Sequence, residues 1–104
     1  MILSELEKNI DGLDFIEELT FENGAVYRGY LQDGTRHGPG SQLWPDGARY
    51  EGEWRSNKAN GTGKFWHADG DVYEGQWQDD KANGYGIYVH VKGARYEGDW
   101  KNDL

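Results

Sequence analysis

Tyr50-Glu51-Gly52-Glu53-Trp54 is the stretch on which the fold turns. Its spacing, glycine two residues after the tyrosine and tryptophan four after, returns at Tyr73-Glu74-Gly75-Gln76-Trp77 and at Tyr96-Glu97-Gly98-Asp99-Trp100. It also precedes, as Tyr27-Arg28-Gly29-Tyr30-Leu31, with leucine in the tryptophan's place. The interval is 23 residues throughout, and self-similarity at a fixed period marks a repeat architecture. Side chains alternate along a strand, so Tyr50, Gly52 and Trp54 share one face while Glu51 and Glu53 take the other.

Working outward, each unit carries Gly-x-Gly (Gly38/Gly40, Gly61/Gly63, Gly84/Gly86) and closes on a turn glycine, Gly47, Gly70 or Gly93, with Gly24 in that role ahead of the first tyrosine. In Pro45-Asp46-Gly47 the proline has the φ of a type I turn's second position, aspartate suits the third, and glycine can take the left-handed conformation of a G1 bulge. Counting outward from such three-residue loops sets Phe65 opposite Tyr73, Tyr88 opposite Tyr96, and glycine opposite glycine at Gly40/Gly52, Gly63/Gly75 and Gly86/Gly98. A two-residue loop would slip the register and break the glycine pairing. Paired glycines, with Gly29 in the same row, leave bare backbone beneath the rings, so an aromatic can lie flat over it. On the other face Lys64 falls across from Glu74.

The expected fold is therefore all-β, an elongated single-layer antiparallel meander with strands near 17–22, 25–31, 39–44, 48–54, 62–67, 71–77, 85–90 and 94–100. The polar stretches Ser56 to Asn60 and Asp79 to Asn83 are expected as longer hairpin loops. Ahead of the sheet, Ser4 and Glu7 have capping-box spacing, Leu3, Leu6 and Ile10 recur on a helical face, and Gly12 can end the helix. Residues 1–16 are thus read as a short amphipathic helix and linker, and 17–104 as the hairpin array. Such a helix would cover about three strands, leaving the rest of the aromatic face open.

Sixteen glycines, seven tyrosines and five tryptophans beside a single methionine imply a core packed by rings instead of aliphatic side chains. No cysteine is present, which excludes disulfides, thiolate metal sites and thiol nucleophiles. The net charge of −8 is concentrated at the start, where residues 1–24 hold seven acids against Lys8 alone. That balance argues against nucleic acid, whose phosphates need a basic footprint. The opening lacks a secretory signal and no apolar run approaches the roughly 20 residues of a membrane span, so a cytoplasmic protein is expected.

Catalysis is not expected. His37 lies in a loop, His67 and His90 take the phase that Trp44 takes earlier and would stand ~10 Å apart, and Asp69, Asp71, Asp79 and Asp80 flank turns where aspartate serves local hydrogen bonding. No nucleophilic constellation or phosphate loop is present, and no metal or cofactor is implied. The face that asks for an explanation is aromatic: Tyr27, Tyr50, Trp54, Phe65, Tyr73, Trp77, Tyr88, Tyr96 and Trp100 together exceed the apolar patch of a soluble monomer. They are read as a groove for a partner, with Gly29, Gly40, Gly52, Gly63, Gly75, Gly86 and Gly98 as structural glycines. Stacked sugars are a lesser alternative, because most acids fall on the other face.

With Lys58, Asn60 and Gly61-x-Gly63 downstream of Tyr50-x-Gly52-x-Trp54, the chain resembles the MORN (membrane occupation and recognition nexus) repeat family over residues 19–104. It departs at Leu31 and at Asn57 and Asp80, where the family's glycine is kept only as Gly34. The resemblance implies a β-hairpin array whose groove takes partner peptides or helices, a scaffold at membrane–cytoskeleton junctions or in cilia. The alternative it implies is a peripheral membrane or phosphoinositide-targeting module of a larger protein such as a lipid kinase. An acidic surface offers anionic lipid little. The last strand, with no Gly-x-Gly after Trp100, is expected to leave an open edge for a longer array or a second copy, and the amphipathic helix offers a second route to a homo-oligomer.

Overall fold

A computed structural model describes residues 12–102. The strands are β1 (Asp14–Thr20), β2 (Val26–Gln32), β3 (Thr35–Leu43), β4 (Arg49–Arg55), β5 (Lys58–Trp66), β6 (Val72–Gln78), β7 (Lys81–Val89) and β8 (Arg95–Trp100). Each pairs antiparallel with the next, giving one open eight-stranded sheet in chain order. Extents of 39 × 26 × 26 Å make this single layer elongated and show that it twists out of a plane. The helix expected over residues 2–11 lies outside the described residues.

One end of the sheet carries the three-residue loops read from the sequence. Trp44 N–H donates to Ala48 O at 2.9 Å, Gly47 N–H returns to Trp44 O at 3.0 Å, and Asp46 Oδ1 accepts from Ala48 N–H at 2.9 Å. His67/Asp71 and His90/Ala94 close the next two loops by the same backbone bonds. Phe65 faces Tyr73, Tyr88 faces Tyr96 and Lys64 faces Glu74, in the register counted from those loops.

The opposite end differs from expectation. In place of longer loops, Asp33-Gly34, Ser56-Asn57 and Asp79-Asp80 form two-residue turns in which both residues have positive φ. This is the requirement of the type I′ hairpin turn, which asparagine and aspartate tolerate better than most residues. β3, β5 and β7 consequently begin about four residues earlier than expected. The surplus is taken up by a bulge: between Gly52↔Gly63 and Trp54↔Ala59, β5 spends two more residues than β4. Gly61 sits in it at φ +89°, and Glu53 Oε2 accepts the Thr62 N–H that the bulge leaves unpaired, at 2.6 Å. β7 repeats the device, with Tyr85 N–H on Gln76 Oε1 at 2.8 Å.

Pairing on both sides joins Gly29, Gly40, Gly52, Gly63, Gly75, Gly86 and Gly98 into one row across β2 to β8. Tyrosine rings fill the space above it. A Cβ on Gly63 would stand 2.2 Å from the Tyr50 hydroxyl, and one on Gly86 2.1 Å from that of Tyr73. The core of this one-layer protein is thus ring over backbone.

Candidate functional site

The nine sequence-selected aromatics lie on strands that the glycine row ties into one face, and the structure divides them by depth. Tyr27, Tyr50 and Tyr73 are 0–3 % exposed and Trp54 is also buried. Phe65, Trp77, Tyr88 and Trp100 are half-buried, and Tyr96, on the edge strand, is 59 % exposed. Tyr27, Tyr50 and Tyr73 each donate the hydroxyl to the carbonyl three residues on: Tyr30 O at 2.7 Å, Glu53 O at 2.8 Å and Gln76 O at 2.9 Å. Burial pushes the Tyr27 and Tyr50 hydroxyls far above the ordinary phenol range.

Tryptophans stitch one unit to the unit before it. Trp54 Nε1 donates to Gly40 O at 3.2 Å, Trp77 to Gly63 O at 3.0 Å and Trp100 to Gly86 O at 3.1 Å. Two of them are wedged edge-on between tyrosines: Trp54 between Tyr27 (5.6 Å) and Tyr50 (5.0 Å), and Trp77 between Tyr50 (5.4 Å) and Tyr73 (5.1 Å). The result is a ladder, Tyr27–Trp54–Tyr50–Trp77–Tyr73–Trp100.

Above the ladder runs a groove in two compartments. One, of about 430 Å³, lies among Phe21, Arg36, Gln42, Trp44, Trp54 and Asn57. The other, of about 400 Å³, lies among His67, Tyr73, Ala82, Tyr88 and Trp100. Phe65, Trp77 and Asp80 line both, so the two compartments adjoin.

The groove selection made from the sequence omits Arg36, Phe21 and Trp44, and it reads Asp71 only as a turn residue. Arg36 occupies the phase that Ala59 and Ala82 hold in the next units. Its guanidinium lies over Trp54 (4.5 Å) and Phe21 (5.2 Å) and donates to Gln42 Oε1, Asn57 Oδ1 and Asn57 O. Partial desolvation holds its pKa below the usual value. Asp71 is buried where Ala25, Ala48 and Ala94 stand in the other units. It accepts from the Tyr88 hydroxyl and, at 2.9 Å, from Val91 N–H, so it clips one unit to the next in addition to the local turn bond from its own N–H to Asp69 Oδ1. The Tyr88 bond holds the Asp71 carboxyl below the ordinary range, Val91 N–H adds to this, and Tyr88 is pushed up to about 12. Arg36 and Asp71 both break the phase of the repeat, and comparing units position by position is the signal that finds them.

His90 Nε2 stands 4.0 Å from Asp71, while His67 packs on Phe65 at 4.6 Å. Among the described residues no group of three or more His, Asp or Glu is placed to hold a metal ion. The reverse face interleaves charge, with Glu51, Lys64 and Glu74 in one cross-strand row and Arg49 over the Trp66 ring at 4.1 Å.

The family model for the MORN repeat matches four successive stretches, residues 27–49, 50–72, 73–95 and 96–104. No curated protein matches the chain.

Proposed function

Because this chain belongs to the MORN repeat family, whose repeats generally serve as protein- or membrane-interaction modules, we propose that it is a non-catalytic scaffold holding a segment of another protein in its aromatic groove. The observation that carries this reading is the division of the rings by depth. Tyr27, Tyr50, Tyr73 and Trp54 are buried in the sheet's own packing, while Phe65, Trp77, Tyr88 and Trp100 remain half-open along the two adjoining compartments. Aromatics that keep part of their surface in water at a groove floor are where a protein partner gains most on docking. Sugar stacking needs free ring faces, and the ladder spends several of them on neighbouring ring edges.

The channel suits a helix or peptide, and membrane–cytoskeleton junctions or cilia, the settings the family resemblance implies, are where we propose such a scaffold acts. Phosphoinositide targeting finds less support, since Arg49, Lys64 and Arg95 alternate with Glu51, Glu74 and Glu97 instead of clustering.

The test uses substitutions that the repeat already tolerates. Trp44→His and Phe65→Gln import the residues found one unit away at the same phases, His67 and Gln42. The double variant should keep its circular dichroism and lose the proteins that the wild type captures from a cell extract. Capture that survives the double substitution would move the binding surface to the loops or the reverse face.

A further inference from the structure

Two phases of the repeat put charge on the groove floor. The second residue of each two-residue turn, Asn57 or Asp80, docks on the residue 21 positions earlier, Arg36 or Ala59. Arg36 N–H donates to Asn57 Oδ1 at 2.8 Å and Asn57 N–H to Arg36 O at 3.0 Å. Ala59 N–H donates to Asp80 Oδ1 at 2.7 Å and Asp80 N–H to Ala59 O at 3.0 Å. These are two copies of one slot, a repeat apart, with opposite charge: the first presents Arg36 and the second Asp80. β3 and β5 are two strand spacings apart, so the slots lie ~10 Å from each other along the groove.

Among the described residues neither charge has an ion-pair partner, although Arg36 feels the attraction of Asp80 along the groove. Among the described residues the ion pairs are Arg49–Glu51, Arg95–Glu97 and His90–Asp71, none of which uses Arg36 or Asp80. Arg36 commits three N–H bonds to Gln42 and Asn57, leaving two of a guanidinium's five donors. Among the described residues only one of Asp80's carboxylate oxygens, Oδ1, is hydrogen-bonded. A half-desolvated cation between two rings and an anion one repeat away are charge complementarity waiting for a counterpart on the occupant.

We propose that the two slots select and orient a partner helix that lies across the strands with its apolar side on Phe65 and Trp77, an acidic residue at Arg36 and a basic residue seven positions away at Asp80. This inference rests on the groove reading above. The spacing decides for a helix: seven residues rise ~10.5 Å and return to the same face. An extended segment covers ~10 Å in three residues, which puts the two side chains on opposite faces. The carboxylate gains a charge-assisted, two-donor bond to a guanidinium, the geometry arginine offers best. With the charges reversed end to end the helix would meet like charge in both slots, so the groove fixes polarity as well as position.

The experiment pans a phage-displayed library of helix-templated 18-residue peptides against the full chain, wild type and three variants. Arg36→Ala and Asp80→Asn each import a neighbouring unit's residue (Ala59, Asn57), and the third is Trp44→His/Phe65→Gln. Wild-type selection should enrich an acidic residue coupled to lysine or arginine seven positions away, flanking the apolar side. Arg36→Ala should erase only the acidic preference and Asp80→Asn only the basic one. A synthetic wild-type consensus peptide should bind Arg36→Ala roughly 10-fold or more weakly, as loss of one charged hydrogen bond implies. Peptides that need Trp44 and Phe65 yet show no coupled charges, or whose charges are indifferent to both single variants, overturn the orienting slots and leave the groove standing. If no selected peptide depends on Trp44 and Phe65, the groove reading falls and this inference falls with it.

Discussion

Tyr27, Tyr50 and Tyr73 each lie over glycines of two adjacent strands, which makes the glycine's missing Cβ the space the ring occupies. At Gly63 that Cβ would meet the Tyr50 ring at 2.2–2.6 Å, and the ring is trapped by its bond to Glu53 O. Gly63→Ala should therefore lose about 2–3 kcal/mol in urea unfolding, the upper range of overpacking. Gly34, at φ +81° with open space around it, is a contrasting case. Gly34→Asn imports the residue of the next unit's turn and should change stability by less than about 0.5 kcal/mol. Asp71 adds a pH dependence. Its carboxyl is held low by Tyr88 and Val91 N–H, with His90 and His67 adding attraction, so its stabilisation is present above the unfolded-state value of about 4 and is lost as pH falls through the lower folded-state value. Asp71→Ala, which reproduces Ala48, should lower the Tm at pH 7. The gap to wild type should hold down to about pH 5 and close below about pH 4.

Hairpins in this sheet close in two ways, and only one could be read in advance. Pro45, Asp46 and Gly47 each have one backbone role, so the three-residue loops and the register that follows were legible residue by residue. Ser56-Asn57 and Asp79-Asp80 are polar residues that suit a loose loop equally well, and the bulges at Gly61 and Gly84 hide the count that would expose a two-residue turn. Asp80 reads as a turn residue, but its docking role and that of Arg36 were illegible for the same reason, since the slots exist only once those turns dock on the preceding hairpin. Strand alternation picks out Tyr50, Trp54, Phe65, Tyr73, Trp77, Tyr88 and Trp100, but not Phe21 and Trp44, which also line the groove, and it includes Tyr96, which lies outside both compartments. The division into core and channel could not be read, because depth depends on which neighbour covers each ring. Asn57 separates the two demands on a turn residue, positive φ (72°) and the docking bond to Arg36 N–H. Asn57→Gly keeps the first and loses the second, and should cost about 1 kcal/mol. Asn57→Ala loses both, and should cost about 2–3 kcal/mol in the same unfolding assay.

Viewed entire, the molecule is a line of units in which each strand pairs only with the strands before and after it, so stability should sum over units and their junctions. Removing residues 50–72 takes out one 23-residue period and joins Arg49 to Tyr73 in phase. Gly75 then faces Gly40, Trp77 inherits the place of Trp54 against Tyr27 and Gly40 O, and Asp80 inherits that of Asn57 against Arg36. The shortened chain should fold with β-sheet circular dichroism and a urea m-value lower by roughly a quarter, because two of the eight strands no longer expose surface on unfolding. Removing residues 50–71 instead shifts the following units by one residue, turns their rings to the reverse face, and should leave the chain unable to build the ladder. A 23-residue deletion that failed to fold would mean that cooperation reaches past nearest neighbours. In the chain that folds, Arg36 and Asp80 meet in one slot and neutralise each other, so a peptide carrying the acid and base pair should lose its advantage over an uncharged one. That outcome would tie the polarity of the groove to the order of the units and not to any single side chain.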